Sequence, residues 1–235
     1  MRFVKQSVAV RSREFQRDYV LEQIEDAART CYKSEDKKCQ GSAERLVRSL
    51  IASGHEAMLE HGPNLSMRFI TDRGITHEIV RHRLFSFAQE STRYVKYESD
   101  IEFIFPEYFE DTSPLLRHAW SFSDVLEYTD TSRVSELERC ILEAFLNAEA
   151  SYRHGLHLGL KPQQIRDVLS TDVKSEIVVT GNIREWRHFF LLRLDKAAHP
   201  RMRLLAKLAF DEAYDLCDVV FEDIAEKLKL ADEVL

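Results

Sequence analysis

The sequence predicts one α+β domain over residues 1–235, on three observations. Leu65, Met67 and Phe69 alternate with polar Ser66 and Arg68, the period of a half-buried strand. Longer stretches repeat their apolar residues at helical spacing. No internal repeat, low-complexity tract or Gly/Ser/Pro linker interrupts the chain. Hydrophobic residues make up 44% and charged residues 31%, enough to build a core and to exclude disorder as the default.

Val4–Val10 alternates weakly and reads as a first strand. Phe15–Cys31 and Ser42–Ala52 read as amphipathic helices, the second with Ser42 as N-cap and Glu44 near it. A short helix is expected over Ile75–Leu84, entered after Gly74. Tyr94–Phe105, rich in β-formers, is expected to run extended up to Pro106. Residues 107–132 mix aromatic and acidic side chains without a period and read as an insertion with one short helix. From Val134, Leu137, Cys140, Ile141, Ala144, Ala148 and Tyr152 share one helical face. Pro162 suits the first turn of a helix over Gln163–Leu169. Ile177–Val179 forms a strand ending at Gly181, and Ile183–Leu194 returns to helix. Pro200 opens a long final helix with Leu205, Leu208, Ala209, Leu216 and Val220 facing inward.

Several classes of function are excluded. No apolar run approaches the ~20 residues that span a bilayer. The opening MRFVKQSVAVRSREF reaches charge too soon for a signal peptide, so the cytoplasm is the expected compartment and no membrane partner is expected. Forty acidic against 33 basic side chains, a net charge of −7, argue against a surface devoted to nucleic acid, though not against a local cationic pocket. Cys31, Cys39, Cys140 and Cys217 are scattered and form no CxxC, so neither a disulfide framework nor a zinc knuckle is indicated. The seven glycines form no GxG, which removes a Rossmann fingerprint and a P-loop. A phosphate would have to be held by arginines or helix N-termini.

Two stretches concentrate polar chemistry. THEIVRHRLFSFAQESTRY (76–94) sets Arg81, His82, Arg83 and Arg93 beside Ser86, Gln89, Glu90 and Ser91. The planar forks of Arg81 and Arg93 suit a phosphate, and the Ser86 and Ser91 hydroxyls complete an oxygen shell. A solvated helix end with a charge cluster accounts for the same composition. The second stretch, 166–203, holds Asn182, Arg184, Arg187, His188 and Arg193. Arg184 and His188 are helical neighbours four apart, and Phe189 and Phe190 add apolar contact. The plain alternative is a surface helix whose Arg187 pairs with Glu185 or Asp195, with His188 structural. His55 and His61 carry the same caution, because a helix C-cap at Gly54 explains their surroundings without a function. His77 and His82 resemble a zinc-protease helix. Five residues apart, at about 100° per residue, they diverge by about 140° and cannot share one zinc.

RHRLFSFAQES contains Arg81-His82-Arg83, seven residues, then Ser91, and so resembles the RHR-x7-S motif of the flavin-dependent thymidylate synthases. GHEAMLEH (54–61), DRGITHEIVRHR before the motif, STRY after it and EIVVTGNIREWRHFFLLR (176–193) are similar to the same family, in order. AARTCYKS (27–34) and AAHPRMR (197–203) also resemble it. About two-thirds of the chain is covered; residues 107–159 contribute almost nothing.

The resemblance implies a mixed or antiparallel sheet with long helices packed on it, in a homotetramer whose active sites lie between subunits. It implies reductive methylation of dUMP to dTMP, with 5,10-methylenetetrahydrofolate as carbon donor, FAD as redox cofactor and NADPH as its reductant. By position, Arg81, His82 and Arg83 would contact FAD, with Asn182, Arg184 and His188 completing the flavin site from another subunit; Ala57 and Gln89 fall at further flavin positions. Glu78, Ile79, Val80, Arg81, Gln89, Glu90, Ser91, Thr92, Arg93, Arg166 and Arg193 would surround dUMP. Arg193 matches the activating residue. An arginine keeps its proton, so it would act electrostatically, stabilising charge on the pyrimidine as N3 ionises. Ser91 is assigned to nucleotide binding.

The inventory agrees with this chemistry: none of the four cysteines lies in an arginine-rich stretch favouring a thiolate nucleophile, and a flavin delivers the reducing hydride instead. The chain departs from common forms of the family at Ala57, Ala88, Gln89 and Ser170. Two other readings compete. One is a nucleotide-binding or hydrolytic protein using the same arginines without flavin. The other is a nucleic-acid-binding module, disfavoured by the acidic balance and the lack of a sustained basic helix.

Overall fold

The alternation at the start of the chain makes two strands, not the single one expected over Val4–Val10. The structure, a computed structural model, describes residues 1–110, 113–116, 119–124 and 135–233, and six strands and eight helices are delimited in chain order among these described residues. The strands are β1 (Arg2–Val4), β2 (Ser7–Val10), β3 (Leu65–Asp72), β4 (Ser86–Gln89), β5 (Glu102–Ile104) and β6 (Lys174–Gly181). The helices are α1 (Arg17–Tyr32), α2 (Ser42–Ala52), α3 (Arg73–Ile79), α4 (Glu136–His157), α5 (Pro162–Ile165), α6 (Ile183–Arg193), α7 (Pro200–Leu216) and α8 (Glu222–Glu233). Lys5 and Gln6 break the first alternation because its halves join different sheets. β1 pairs in parallel with β5, Phe3 opposite Phe103, while β2 is the edge of a sheet ordered β2-β3-β6-β4. In that sheet Arg11 N–H bonds Ser66 O at one end of β2 and Thr71 bonds Gln6 at the other, so β2 and β3 are antiparallel. The α+β class with a mixed strand set is as the sequence predicts.

The chain forms two interleaved compact units: Met1–Gln6, Ile70–Ile79 and Gln89–Ile177 in the first; Ser7–Phe69, Val80–Ala88 and Val178–Leu235 in the second.

The first unit is built on α4. Ser135 caps it, accepting from Glu138 N–H while the Glu138 carboxylate reaches back to the Ser135 backbone, a reciprocal capping box. The buried face is Glu138, Leu142, Phe145, Leu146, Glu149 and Tyr152; Leu137, Cys140 and Ala144, expected on it, are exposed. The displacement has a physical cause, since two of the buried residues are carboxylates. Glu138 is satisfied by Ser113 and Ser135, and Glu149 by Ile101 N–H, the Met1 amino group and Arg153, so both enter the core at positions an apolar pattern rejects. Phe103 stacks on Phe145 with centroids 4.4 Å apart. Leu115 and Trp120, from the stretch read as an insertion, belong to this core, and Trp120 Nε1–H donates to Leu115 O. Residues 125–132 lie outside the described residues. Of Tyr94–Phe105 only Glu102–Ile104 is strand. Pro162 opens α5 at N1, as expected, and the chain tightens into a 3₁₀ turn at Arg166–Val168.

In the second unit α1, α2, α6 and α7 surround an aromatic core. Trp186, Phe189 and Phe190 are fully buried; Trp186 lies 4.6 Å from Phe85, and Phe190 packs edge-on to Phe210 and Phe221. Trp186 Nε1–H is satisfied by Leu65 O. The N-cap of α2 is Gly41 in the left-handed region, not Ser42; the Ser42 hydroxyl instead bonds the buried Glu25 carboxylate. Gly54 caps the far end with φ 72°, as read from sequence. The final helix breaks at Cys217, leaving Leu208 partly exposed, Leu216 half-buried and Val220 buried on a short turn before α8. Among the described residues no helix is long and apolar enough to cross a membrane.

Candidate active site

In the second unit the two polar stretches meet. Helical geometry ends at Ile79, earlier than the expected Leu84, and the chain turns through Arg81–Leu84 before entering β4, a four-residue strand hidden from the sequence reading by hydroxyl and charged neighbours. The turn exposes Arg81 and Arg83 and buries His82 between them. Neither guanidinium has a hydrogen bond or ion pair among the described residues. Phe85 anchors the turn: its N–H bonds His82 O, and its ring packs against Gly181, where a Cβ would collide with it.

From the other side comes α6. Asn182 caps it, Oδ1 accepting from Glu185 N–H. Arg193, half-buried at the last turn, donates from Nε to His82 Nε2 at 3.0 Å. His82 Nδ1 lies 3.4 Å from Glu185 Oε1, and its ring lies 5.0 Å from Phe189 and 5.7 Å from His188. Burial pushes the His82 pKa down to about 4, assisted by Arg193 and His188, so the imidazole is neutral near pH 7. Burial raises that of Glu185.

A cavity of about 550 Å³ opens beside this cluster, lined by Asn182, Arg184, Glu185 and His188 from α6, with Leu84, Leu191, Glu56 and Glu60. Arg184 is exposed and holds Glu60 at 2.7 Å. It also lines a second, more apolar cavity of about 410 Å³ whose wall includes Ala57, Met58, Leu46 and Leu50. Arg187 is no surface residue paired with Glu185 or Asp195. It is 2% exposed and bonds Asp223, Glu56 and Val220 O.

The first unit holds the remaining predicted positions. Glu78 is half-buried and Ile79 fully buried, while Val80 is exposed at the start of the second unit's turn. Gln89 Nε2 is spent on Thr76 and Ser175. Glu90 accepts from Tyr97 OH and stands 3.9 Å from Lys174. Ser91 Oγ accepts from Arg93 N–H, Thr92 is buried, and Arg93 is exposed beside the Tyr94 ring. Arg166 is exposed at the turn after α5.

Sequence reasoning missed Glu185 and Glu56. Asn182 followed three residues later by Glu185 has the spacing of a capping box, which marks the helix start; the carboxylate faces His82 instead. The cysteines need one correction. Cys217 is buried and its thiol is pushed up to about 12, but Cys39 is exposed with Arg45 Nη2 3.5 Å from its sulfur, a cation beside it that sequence did not reveal.

The sequence profile described as "Thymidylate synthase complementing protein" matches residues 18–217. The flavin-dependent thymidylate synthase of Mycobacteroides abscessus is 34% identical over 203 residues, 85% of this chain and 78% of its own. That of Mycolicibacterium vanbaalenii is 35% identical over 213 residues, 89% of this chain and 81% of its own. In fold the chain resembles a UMP/dUMP methylase, PolB from Streptomyces cacaoi, crystallised with 5-Br dUMP: TM-score 0.71, 23% identity, 96% of this chain and 97% of that one. With this match across most of its length, the chain belongs to the thymidylate synthase complementing protein family, that of the flavin-dependent thymidylate synthases.

Proposed function

We propose that this protein is a flavin-dependent thymidylate synthase, converting dUMP to dTMP by reductive methylation with 5,10-methylenetetrahydrofolate as carbon donor, FAD as redox cofactor and NADPH as reductant. The observation that carries the reading is the convergence of His82 and Arg193 beside the cavity lined by Asn182, Arg184 and His188. The relatives that match are flavin-dependent thymidylate synthases, and PolB is a UMP/dUMP methylase.

The residues present fit a flavin nucleotide. Arg81 and Arg83 are exposed cations for a pyrophosphate, with Arg184 a third that here holds Glu60; the Asn182 amide and His188 imidazole offer hydrogen bonds, and Leu84 and Leu191 supply apolar wall for a ring. We assign Arg81, His82, Arg83, Asn182, Arg184 and His188 to holding it, with Ala57 and Gln89 as further contacts. When bound, FAD supplies the two electrons that bring the transferred one-carbon unit to the methyl level.

The chain's own groups then bind and polarise. Glu78–Arg81, Gln89–Arg93, Arg166 and Arg193 are assigned to dUMP, arginines to its phosphate and Ser91 as a hydrogen-bonding partner. Arg193, held from Nε by the neutral His82, stabilises negative charge on the pyrimidine as N3 ionises. A homotetramer with active sites between subunits is supported by exposed leucines on two helices of the second unit, Leu191 and Leu192 on α6 and Leu204 and Leu208 on α7.

The test is turnover of dUMP tritiated at C5, with FAD, NADPH and methylenetetrahydrofolate present or singly omitted. Tritium release and dTMP that require the flavin and folate are expected. Arg193→Ala is expected to abolish dTMP formation and keep bound FAD. A colourless protein that cannot be reconstituted with FAD overturns the reading; unchanged turnover by Arg193→Ala removes that residue from it.

A further inference from the structure

An imidazole that accepts a hydrogen bond at one nitrogen and is neutral must carry its proton on the other. His82 Nε2 accepts from Arg193 Nε–H at 3.0 Å. Its proton therefore sits on Nδ1, and what faces Nδ1 is Glu185 Oε1 at 3.4 Å. The pair is secluded, the His82 side chain 4% and the Glu185 side chain 6% exposed, so water does not compete for the proton.

We propose that Glu185 is a positioning residue: it holds His82 in the Nδ1–H tautomer and so sets the direction in which Arg193 presents its guanidinium. This rests on the reading that Arg193 acts on the pyrimidine, and extends it to a residue carrying no assigned role. Three observations support it beyond the two distances. The Glu185 carboxylate stands at N3 of α6, where it would ordinarily turn back to the N-cap, yet it makes no hydrogen bond there among the described residues, and Asn182 satisfies the Glu185 N–H alone. The ring has little freedom to flip, with Phe189 at 5.0 Å, Phe85 at 6.0 Å and His188 at 5.7 Å. The opposite tautomer would set Nε2–H against Arg193 Nε–H, donor to donor, and the guanidinium would have to swing away.

The depressed His82 pKa agrees, because a protonated ring would present the same donor clash. The charged and titratable groups facing the ring are Glu185, Arg193 and His188. Glu185 acts whether or not its carboxyl is ionised, because either form has an acceptor oxygen facing Nδ1 at 3.4 Å.

The test is nitrogen-15 NMR of the full chain labelled in histidine, with His82→Gln used to assign the His82 signals. At pH 7 the wild type is expected to show Nδ1 protonated and Nε2 bare. Glu185→Gln retains an acceptor oxygen and is expected to keep both that tautomer and turnover. Glu185→Leu is expected to admit the Nε2–H tautomer and to lower kcat for dTMP formation on the order of tenfold, with KM for dUMP little changed, since an oriented charge that matters in the transition state affects kcat first. A wild-type ring protonated on Nε2 overturns the proposal on its own, whether or not either variant folds. So does a Glu185→Leu protein with unchanged tautomer and kcat, or a loss in Glu185→Gln as large as in Glu185→Leu. The wild-type NMR result stands apart from turnover, so failure of the proposed reaction and failure of this inference are told apart.

Discussion

Arg187 sets both terminal nitrogens against the Asp223 carboxylate, Nη1 to Oδ1 at 2.7 Å and Nη2 to Oδ2 at 2.9 Å, and with the same two atoms takes Val220 O and Glu56. Burial opposes a charge here, and the two carboxylates outweigh it, raising the Arg187 pKa. The same pairing draws Asp223 below its ordinary value against the effect of burial. One guanidinium thus ties α6 to α8 and to the Glu56 turn, whose carboxylate lines the cavity.

Removing that cation takes the buried partner from Glu56 and Asp223, leaving Asp223 only the more distant cation of Lys227 at 3.9 Å among the described residues. Arg187→Ala is expected to lower the unfolding free energy by about 3–5 kcal/mol in urea titration, the usual cost of breaking a buried pair. Arg187→Met/Asp223→Asn, which removes both charges and keeps most of the volume, is expected to recover a large part. A single variant as stable as wild type would show that the pair does not hold the helices.

His82 makes stability depend on pH in a definite direction. Its native pKa of about 4 lies below the unfolded value near 6.5, so between those limits the unfolded chain binds the extra proton. Its contribution is complete above about pH 6.5, falls as pH drops toward 4, and totals about 3 kcal/mol. Glu185, raised by burial, contributes with the opposite sign, losing stability as pH rises above the ordinary carboxyl range. Subtracting the curve of His82→Gln isolates the histidine. A wild-type-minus-variant difference flat between pH 4 and 6.5 would rule out a depressed His82.

How much of this was legible beforehand depended on whether the signal was apolar. β3, α1 and α6 follow directly from their hydrophobic period. The apolar period misplaces the face of α4 because Glu138 and Glu149 are buried by specific partners far away in sequence, and periodicity has no access to partners. The surface alternative for Arg187 fails for the same reason, its partners Asp223 and Glu56 being remote in sequence. In the site, the resemblance implies that the RHR segment and α6 meet across subunits, whereas the bond from Arg193 to His82 lies within one chain. The individual bond from Arg193 to His82 depends on where the turn after Ile79 points, and that is decided by the seat of Phe85 on Gly181.

That seat is itself testable. Gly181→Ala would put a methyl group into the Phe85 ring, an overpacking expected to cost about 1–3 kcal/mol in urea unfolding. Because Phe85 lies two residues after Arg83 and anchors the turn that carries Arg81–Arg83, flavin affinity is expected to weaken as well, read by fluorescence titration with FAD. Phe85→Leu in the Gly181→Ala background makes room for the methyl group and is expected to restore part of both losses. Wild-type stability in Gly181→Ala would mean that the ring does not occupy this position.

The cysteines provide the sharpest test of how the pyrimidine is activated. Cys217 is inaccessible and its thiol is pushed up to about 12, which leaves it protonated at pH 7. Cys217→Ala is expected to cost about 1 kcal/mol through the small void it leaves and to turn over normally once folded. Cys31 and Cys140 are exposed, and among the described residues Cys31 bonds only its own helix carbonyl. Cys39 has Arg45 against its sulfur and is the one whose substitution matters. If Arg193 activates the substrate by charge alone, Cys39→Ala keeps wild-type kcat with FAD bound. A folded, flavin-loaded Cys39→Ala protein without dTMP formation would require a thiolate in the reaction and return Arg193 to a binding role.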